Sequence, residues 1–199
     1  MPASKKRFEI RKMTEADIPF AVGMTDIERW GYLPADFRRL ISFEPDGCFV
    51  AWVNDRPVGM ITSTSYNNYA FIGSLIVRQE SRGEGIGEAL MKKAVDHLTE
   101  KRIETIELDG VFAAVSLYRR LGFKDKYLSL RFVRDAADEY GELYSCSAEM
   151  ADKIIAFDRK ATGLNRNRML KAYFGDDDYS IYAIAGRTLA LSQAHKLSL

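Results

Sequence analysis

The chain has 199 residues, 47% hydrophobic and 12% aromatic, with 29 basic side chains against 28 acidic ones. That length and apolar content build a core of one to one and a half globular domains, and exclude a disordered or fibrous chain. A formal net charge of +1 excludes the broad positive field that grips nucleic acid or an anionic membrane. Cys48 and Cys146 form no CxxC, and His97 and His195 have no second ligand at metal-site spacing, so neither a disulfide framework nor a metal is expected. The basic start Lys5-Lys6-Arg7 precedes no apolar run of signal-peptide or membrane-span length, which makes the expected location cytoplasmic.

Phe8-Glu9-Ile10-Arg11-Lys12-Met13 alternates apolar and polar residues and predicts a strand. Thr14-Glu15-Ala16-Asp17 reads as a helix start, with Thr14 as N-cap and carboxylates in the first turn. Ile18, Val22 and Ile27 recur at helical intervals, and that helix is expected to stop near Gly31. A short helix is expected from Pro34 to Leu40, then a buried strand over residues 48–53. Asn54-Asp55-Arg56-Pro57 turns the chain into a strand from Val58 to about Tyr66, and Asn67-Asn68 separates this from another over 70–77. Four strands are thus expected before residue 80.

Arg78-Gln79-Glu80-Ser81-Arg82-Gly83-Glu84-Gly85-Ile86-Gly87 then breaks the pattern and opens an amphipathic helix, with Ile86, Leu90, Ala94 and Leu98 on one face. Strand, glycine-rich turn and helix N-terminus make an anion site, because the first helical N–H groups lack partners and the helix dipole favours negative charge. No Lys-Ser/Thr follows the glycines and Glu88 stands where GxGxxG needs glycine, which counts against a nucleotide P-loop and a dinucleotide fold. A fifth strand is expected at 105–108, a short helix at about 113–121 ending at Gly122, and a long closing strand over 124–133.

The spacing Arg82-x-x-Gly85-x-Gly87 resembles the [QR]-x-x-G-x-[GA] pattern of the GNAT superfamily of N-acetyltransferases. Tyr118-Arg119-Arg120-Leu121-Gly122-Phe123 resembles the same family's Y-x-x-x-G-F helix ending, with Ala114 four residues ahead of the tyrosine. Element order agrees over about residues 8–133. One position departs: Val111 stands where members often carry asparagine to hold the cofactor arm. The resemblance implies an α/β (α+β) fold, a mixed central sheet flanked by helices. It also implies an enzyme that moves acetyl from acetyl-CoA to an amine.

In that reading Leu75, Ile76 and Val77 pair with the pantetheine arm, and a strand N–H polarises the thioester carbonyl. Arg82, Gly83, Glu84, Gly85, Ile86, Gly87 and Glu88 hold the pyrophosphate. Tyr118 protonates the leaving thiolate, although its helix face, shared with Ala114, Leu117 and Leu121, also suits a core tyrosine. Asp109 and Glu107 are candidates for base or substrate recognition, with solvated or lysine-paired carboxylates as the alternative. Trp30 and Tyr32 either line the acceptor pocket or are simply packed. A module that binds acyl-CoA without turnover, or an interaction domain, is the competing class.

Beyond the polar stretch 135–141 the chain weakly repeats its opening. Asp26 and Gly31 answer to Asp158 and Gly163, while Phe43, Asp46, Val50 and Arg56 answer to Phe174, Asp177, Ile181 and Arg187. The expected organisation is a GNAT domain at 1–134, with 142–199 either an incomplete GNAT-like repeat or a C-terminal extension whose likeness to the opening is a chance match of short helix–strand patterns. Ile154, Ile155, Met169, Leu170 and Phe174 would cover the first domain or contact a second subunit, making a homodimer. Asp176-Asp177-Asp178 is expected to be a solvated turn.

Overall fold

The computed structural model describes residues 7–128 and 151–174, together with the backbone of strands at 143–145, 179–184 and 188–193. The chain divides into two units, Met1–Tyr127 and Leu128–Leu199. In the first, β1 (Glu9–Lys12), β2 (Phe49–Val53), β3 (Arg56–Tyr66), β4 (Tyr69–Val77) and β5 (Thr105–Leu108) lie side by side in chain order. The first four are antiparallel neighbours and β4–β5 is parallel, which gives the expected mixed sheet flanked by helices.

Strand alternation assigns each face to different helices. Phe49, Ala51, Ile61, Ala70, Ile72 and Val77 pack with α3 (Ile86–Glu100), whose predicted stripe Ile86, Leu90, Ala94 and Leu98 is fully buried and widened by Met91. The intervening Val50, Met60 and Ile76 pack with Ile18, Ala21 and Met24 of α1 (Ile18–Ile27) and Phe37 of α2 (Pro34–Phe43). Trp30 and Tyr32 join that second cluster, with the Tyr32 ring 5.6 Å from Phe37. Both rings are half-buried against that cluster.

The Asp17 carboxylate accepts from the Thr14 N–H and hydroxyl, both at 2.8 Å, so the expected start at Thr14 opens a 3-10 turn that runs into α1. Asp36 accepts from the Leu33 N–H at 2.7 Å and begins α2 behind Pro34. The end of α1 comes earlier than Gly31. Arg29 takes the left-handed conformation (φ 57°), its N–H returns to the Asp26 carbonyl and the Trp30 N–H to the Thr25 carbonyl. This is a Schellman ending with arginine in the usual glycine place, so glycine spacing misplaced the stop. The closing strand expected over 124–133 does not form across 124–128, an exposed stretch where Asp125 pairs with Arg119 and Lys126 with Glu107. Its remainder falls outside the described residues.

Glu44, 3% exposed at the end of α2, ties three elements together. It accepts from Ser65 on β3 and Lys101 after α3, each at 2.5 Å, and sits 3.0 Å from His97 Nε2 on α3. Burial pushes its pKa up, but these partners outweigh burial and hold it below the ordinary 4.5. A carboxylate depressed in the folded state stabilises fully above its unfolded pKa, and that stability disappears as pH falls through the folded value. Resistance to thermal unfolding is therefore expected to weaken below about pH 4.5. Glu44→Gln should cost about 1–3 kcal/mol at neutral pH and flatten the acid slope. An unchanged slope in the variant would place the acid sensitivity elsewhere.

In the second unit, β6 (Leu143–Ser145), β7 (Tyr179–Ile184) and β8 (Thr188–Gln193) form an antiparallel sheet in that order. α5 (Ala151–Thr162) and α6 (Asn167–Phe174) lie between β6 and β7 in sequence, so the succession matches β1, α1, α2, β2, β3. Ile154, Ile155 and Leu170 are buried, and Arg166 bonds Asp158 through two nitrogens. The acidic run 176–178 lies outside the described residues. Among the described residues, no helix is long and apolar enough to cross a membrane and no cluster of ligands suits a metal.

Candidate acyl-transfer site

Pairing between β4 and β5 stops at Ile72 and Leu108, although β4 continues to Val77. The C-terminal half of β4 therefore keeps β3 on one edge and lacks β5 on the other. A bulge falls at this point: Met60 pairs with Ile76 and Thr62 with Gly73, so two residues of β4, Ser74 and Leu75, oppose Ile61 alone. The inserted residue resets the alternation. Ile72 and Ile76 would otherwise share a face, yet Ile72 packs toward α3 and Ile76 toward α1 and α2.

A 3-10 turn (Gln79–Ser81) and the glycine loop carry β4 into α3. Gly83 and Gly85 have φ of 79° and 85°, and a Cβ built on either meets nothing within 4 Å. Their requirement is backbone conformation rather than space. Among the described residues, neither these glycines nor Ile86 and Gly87 pair their N–H groups with backbone; the helical ladder begins at Ala89, whose N–H reaches the Gly85 carbonyl at 3.0 Å. Open amides at a helix N-terminus fit a pyrophosphate.

The Arg82 side chain is engaged otherwise. Its Nε donates to the Val77 carbonyl at 2.9 Å and its Nη2 to Glu28 at 3.2 Å. It thus ties the end of β4 to the segment after α1. Glu88 pairs with Lys92 at 2.6 Å, and the Ile86 side chain is in the core. At those two positions the side chains serve the helix and its packing.

Tyr118 belongs to α4 (Val115–Arg120), entered through a 3-10 turn (Phe112–Ala114). The helix ends as a Schellman motif: the Phe123 N–H returns to the Tyr118 carbonyl and the Gly122 N–H to the Arg119 carbonyl, both at 3.1 Å, with Gly122 at φ 89°. The rings of Tyr118 and Phe123 meet edge-on, centroids 6.4 Å apart, which supplies the apolar contact that accompanies this motif. Y-x-x-x-G-F is thus a helix stop that orients its own tyrosine. Gly122→Ala is expected to cost about 1–2 kcal/mol in thermal or denaturant unfolding, since alanine resists the left-handed region. An unaltered midpoint would contradict this.

Gly110 lies close against the ring, because a Cβ there would come within 2.9 Å of Tyr118 Cε2. Tyr118 and Leu117 pack on the cluster that also holds Val77 and Ile86, as do Leu75 and Leu108. Tyrosine, β4, β5 and the loop helix therefore share one apolar seat. Burial pushes the Tyr118 phenol above its ordinary 10.

Asp109 is exposed just past β5, with no hydrogen bond or ion pair among the described residues. Glu107 is the engaged carboxylate: Tyr69 donates to it at 3.2 Å and Lys126 pairs with it. Burial and that carboxylate push the Tyr69 phenol up to about 12. His97 lies in the Glu44 cluster, and burial pushes Cys48 up to about 11, leaving an unreactive thiol. Sequence reasoning assigned no role to Ser74 or Glu28 and did not foresee the packing of Gly110 on Tyr118. Only Gly110 carried a signal, as a glycine following β5.

Residues 14–123, more than half the chain, match the sequence profile of the acetyltransferase (GNAT) family. The chain belongs to the GNAT family. Holothin acyltransferase of a Pseudoalteromonas strain is 29% identical over 154 residues, covering 75% of this chain and 51% of that protein. N-alpha-acetyltransferase 30 of Dictyostelium discoideum is 28% identical over 109 residues, covering 51% and 59% respectively. The chain thus spans about half the length of the curated relatives it matches. A Pyrococcus horikoshii protein, solved as a candidate acetyltransferase, superposes over 94% of this chain and 68% of its own with a TM-score of 0.77 at 24% identity. At that identity the likeness establishes the fold.

Proposed function

We propose that the chain is an acetyl-CoA-dependent N-acetyltransferase acting on a small amine. The observation that carries this reading is the convergence of three features on one apolar cluster: the half of β4 that β5 does not pair, the open amides of the glycine loop, and the half-buried Tyr118 phenol. The loop amides at Gly83, Gly85, Ile86 and Gly87 would hold the pyrophosphate, with Arg82 fixing the loop against Val77 and Glu28. The free edge of β4 over Leu75, Ile76 and Val77 would accept the pantetheine arm as an added strand.

Backbone N–H groups on that edge stabilise negative charge developing on the thioester carbonyl oxygen. The amine attacks the carbonyl carbon after losing a proton to a base or water chain, with Asp109 the exposed carboxylate nearest the end of β5. Tyr118 returns a proton to the departing sulfur, leaving amide and free thiol. The near-neutral surface favours a small acceptor over a nucleic-acid-associated one. We also read residues 142–199 as an incomplete GNAT-like unit, on the matching element order.

The test is thiol release from acetyl-CoA across a panel of small amines, amino acids and peptides. Amine-dependent release is expected. Saturable acetyl-CoA binding with no release on any amine would support a non-catalytic acyl-CoA module instead.

A further inference from the structure

We propose that the Ser74 hydroxyl contacts substrate in the acyl-transfer site, donating a hydrogen bond to the thioester carbonyl oxygen. The inference rests on the acetyl-CoA reading above and adds a side chain to a step otherwise left to backbone N–H groups.

Three independent features meet at this residue. Ser74 is 6% exposed and its Oγ has no hydrogen-bond partner among the described residues. Buried hydroxyls are nearly always paired, since leaving water without a new partner is costly, and serine can usually bond nearby backbone. An orphaned one needs an explanation.

The second feature is backbone strain. Six non-glycine residues among those described have positive φ; Arg29, Asn54, Asp55, Asn67 and Arg102 are exposed, in turns or at helix ends. Ser74, at φ 51°, is the sixth, and it alone is both buried and inside a strand. Gly73 stands one residue earlier, where φ is not positive, so the chain places its left-handed residue on serine with a glycine adjacent. A strained, buried, polar residue held where glycine would be easier suggests that the side chain itself is required.

The third feature is place. Ser74 is the first residue of the bulge and lies two positions past the last β4–β5 pair, where β4 begins its run without β5. A hydroxyl offers one donor and two acceptor positions. On the free edge of β4, the group that gains charge during acyl transfer and needs donors is the carbonyl oxygen.

The experiment measures calorimetric affinities for acetyl-CoA and for CoA in the unaltered protein and in Ser74→Gly and Ser74→Ala. The carbonyl stretch of carbonyl-13C acetyl-CoA, bound to each, is recorded by infrared difference spectroscopy. Glycine removes the hydroxyl and relieves the strain, so Ser74→Gly is expected to melt higher than the unaltered protein. Even so, its preference for acetyl-CoA over CoA should fall about 3- to 10-fold, with CoA affinity unchanged and the carbonyl band moved toward its free position. A serine that only shapes the bulge, or that contacts the amine or a buried water, gives Ser74→Gly an unchanged affinity ratio and band, which overturns the proposal. An unaltered protein that binds neither CoA nor acetyl-CoA removes the acetyl-CoA reading itself, and this is seen before any variant is compared.

Discussion

Replacing Tyr118 with phenylalanine is expected to lower kcat roughly 100-fold, at the low end for loss of a general acid, while acetyl-CoA affinity stays within about twofold. The substitution removes one oxygen and keeps the ring that packs against Phe123 and Gly110. The Schellman ending at Gly122 uses backbone bonds and is untouched. Burial raises the phenol pKa, so the proton is present throughout the neutral range and activity should fail only as pH rises through that elevated value. In the variant this alkaline limb should disappear. Pre-steady-state thiol release on the best amine from the panel measures both effects. Full turnover by Tyr118→Phe would make the residue a packing tyrosine.

Gly85→Glu should weaken acetyl-CoA binding by roughly 100-fold or more. Gly85 caps α3 at φ 85°, ψ 0°, a conformation costly for any side chain. Its carbonyl starts the helical ladder through Ala89, so strain there disturbs the same turn whose amides would hold the anion in the proposed function. Glutamate adds a negative charge at the positive end of the helix dipole, where it would compete with the phosphate of the proposed ligand. Gly85→Ala separates the two causes: alanine carries strain without charge and should lose only about tenfold. Far-UV circular dichroism is expected to be unchanged, because α3 is held by Leu90, Met91, Ala94 and Leu98. Equal binding by Gly85→Glu and the parent would mean the loop is not the phosphate site.

The fold was legible where the relevant physics is local. The stripe on α3 follows from 3.6-residue periodicity, and every residue named on it is buried. The helix stop at Gly122 follows from glycine's access to left-handed φ, and it places Tyr118 by short-range bonds alone. Arg29 ends α1 with the same geometry and no glycine, so that boundary was invisible. The bulge at Ser74 leaves no mark on the sequence, because an inserted residue is defined only against β3. Glu44, Ser65, His97 and Lys101 come together through three elements far apart in the chain. Arg82 was expected on phosphate because glycine-loop arginines carry charge; its link to Glu28, 54 residues away, needed the fold to bring α1 beside the end of β4.

Calorimetric titration of the unaltered protein with acetyl-CoA tests the central claim most directly. Saturable one-to-one binding, competed by CoA, is the predicted result and fixes the ligand of the loop and of the free β4 edge. A flat titration at millimolar acetyl-CoA would contradict the account, leaving a GNAT fold that does not use acetyl-CoA.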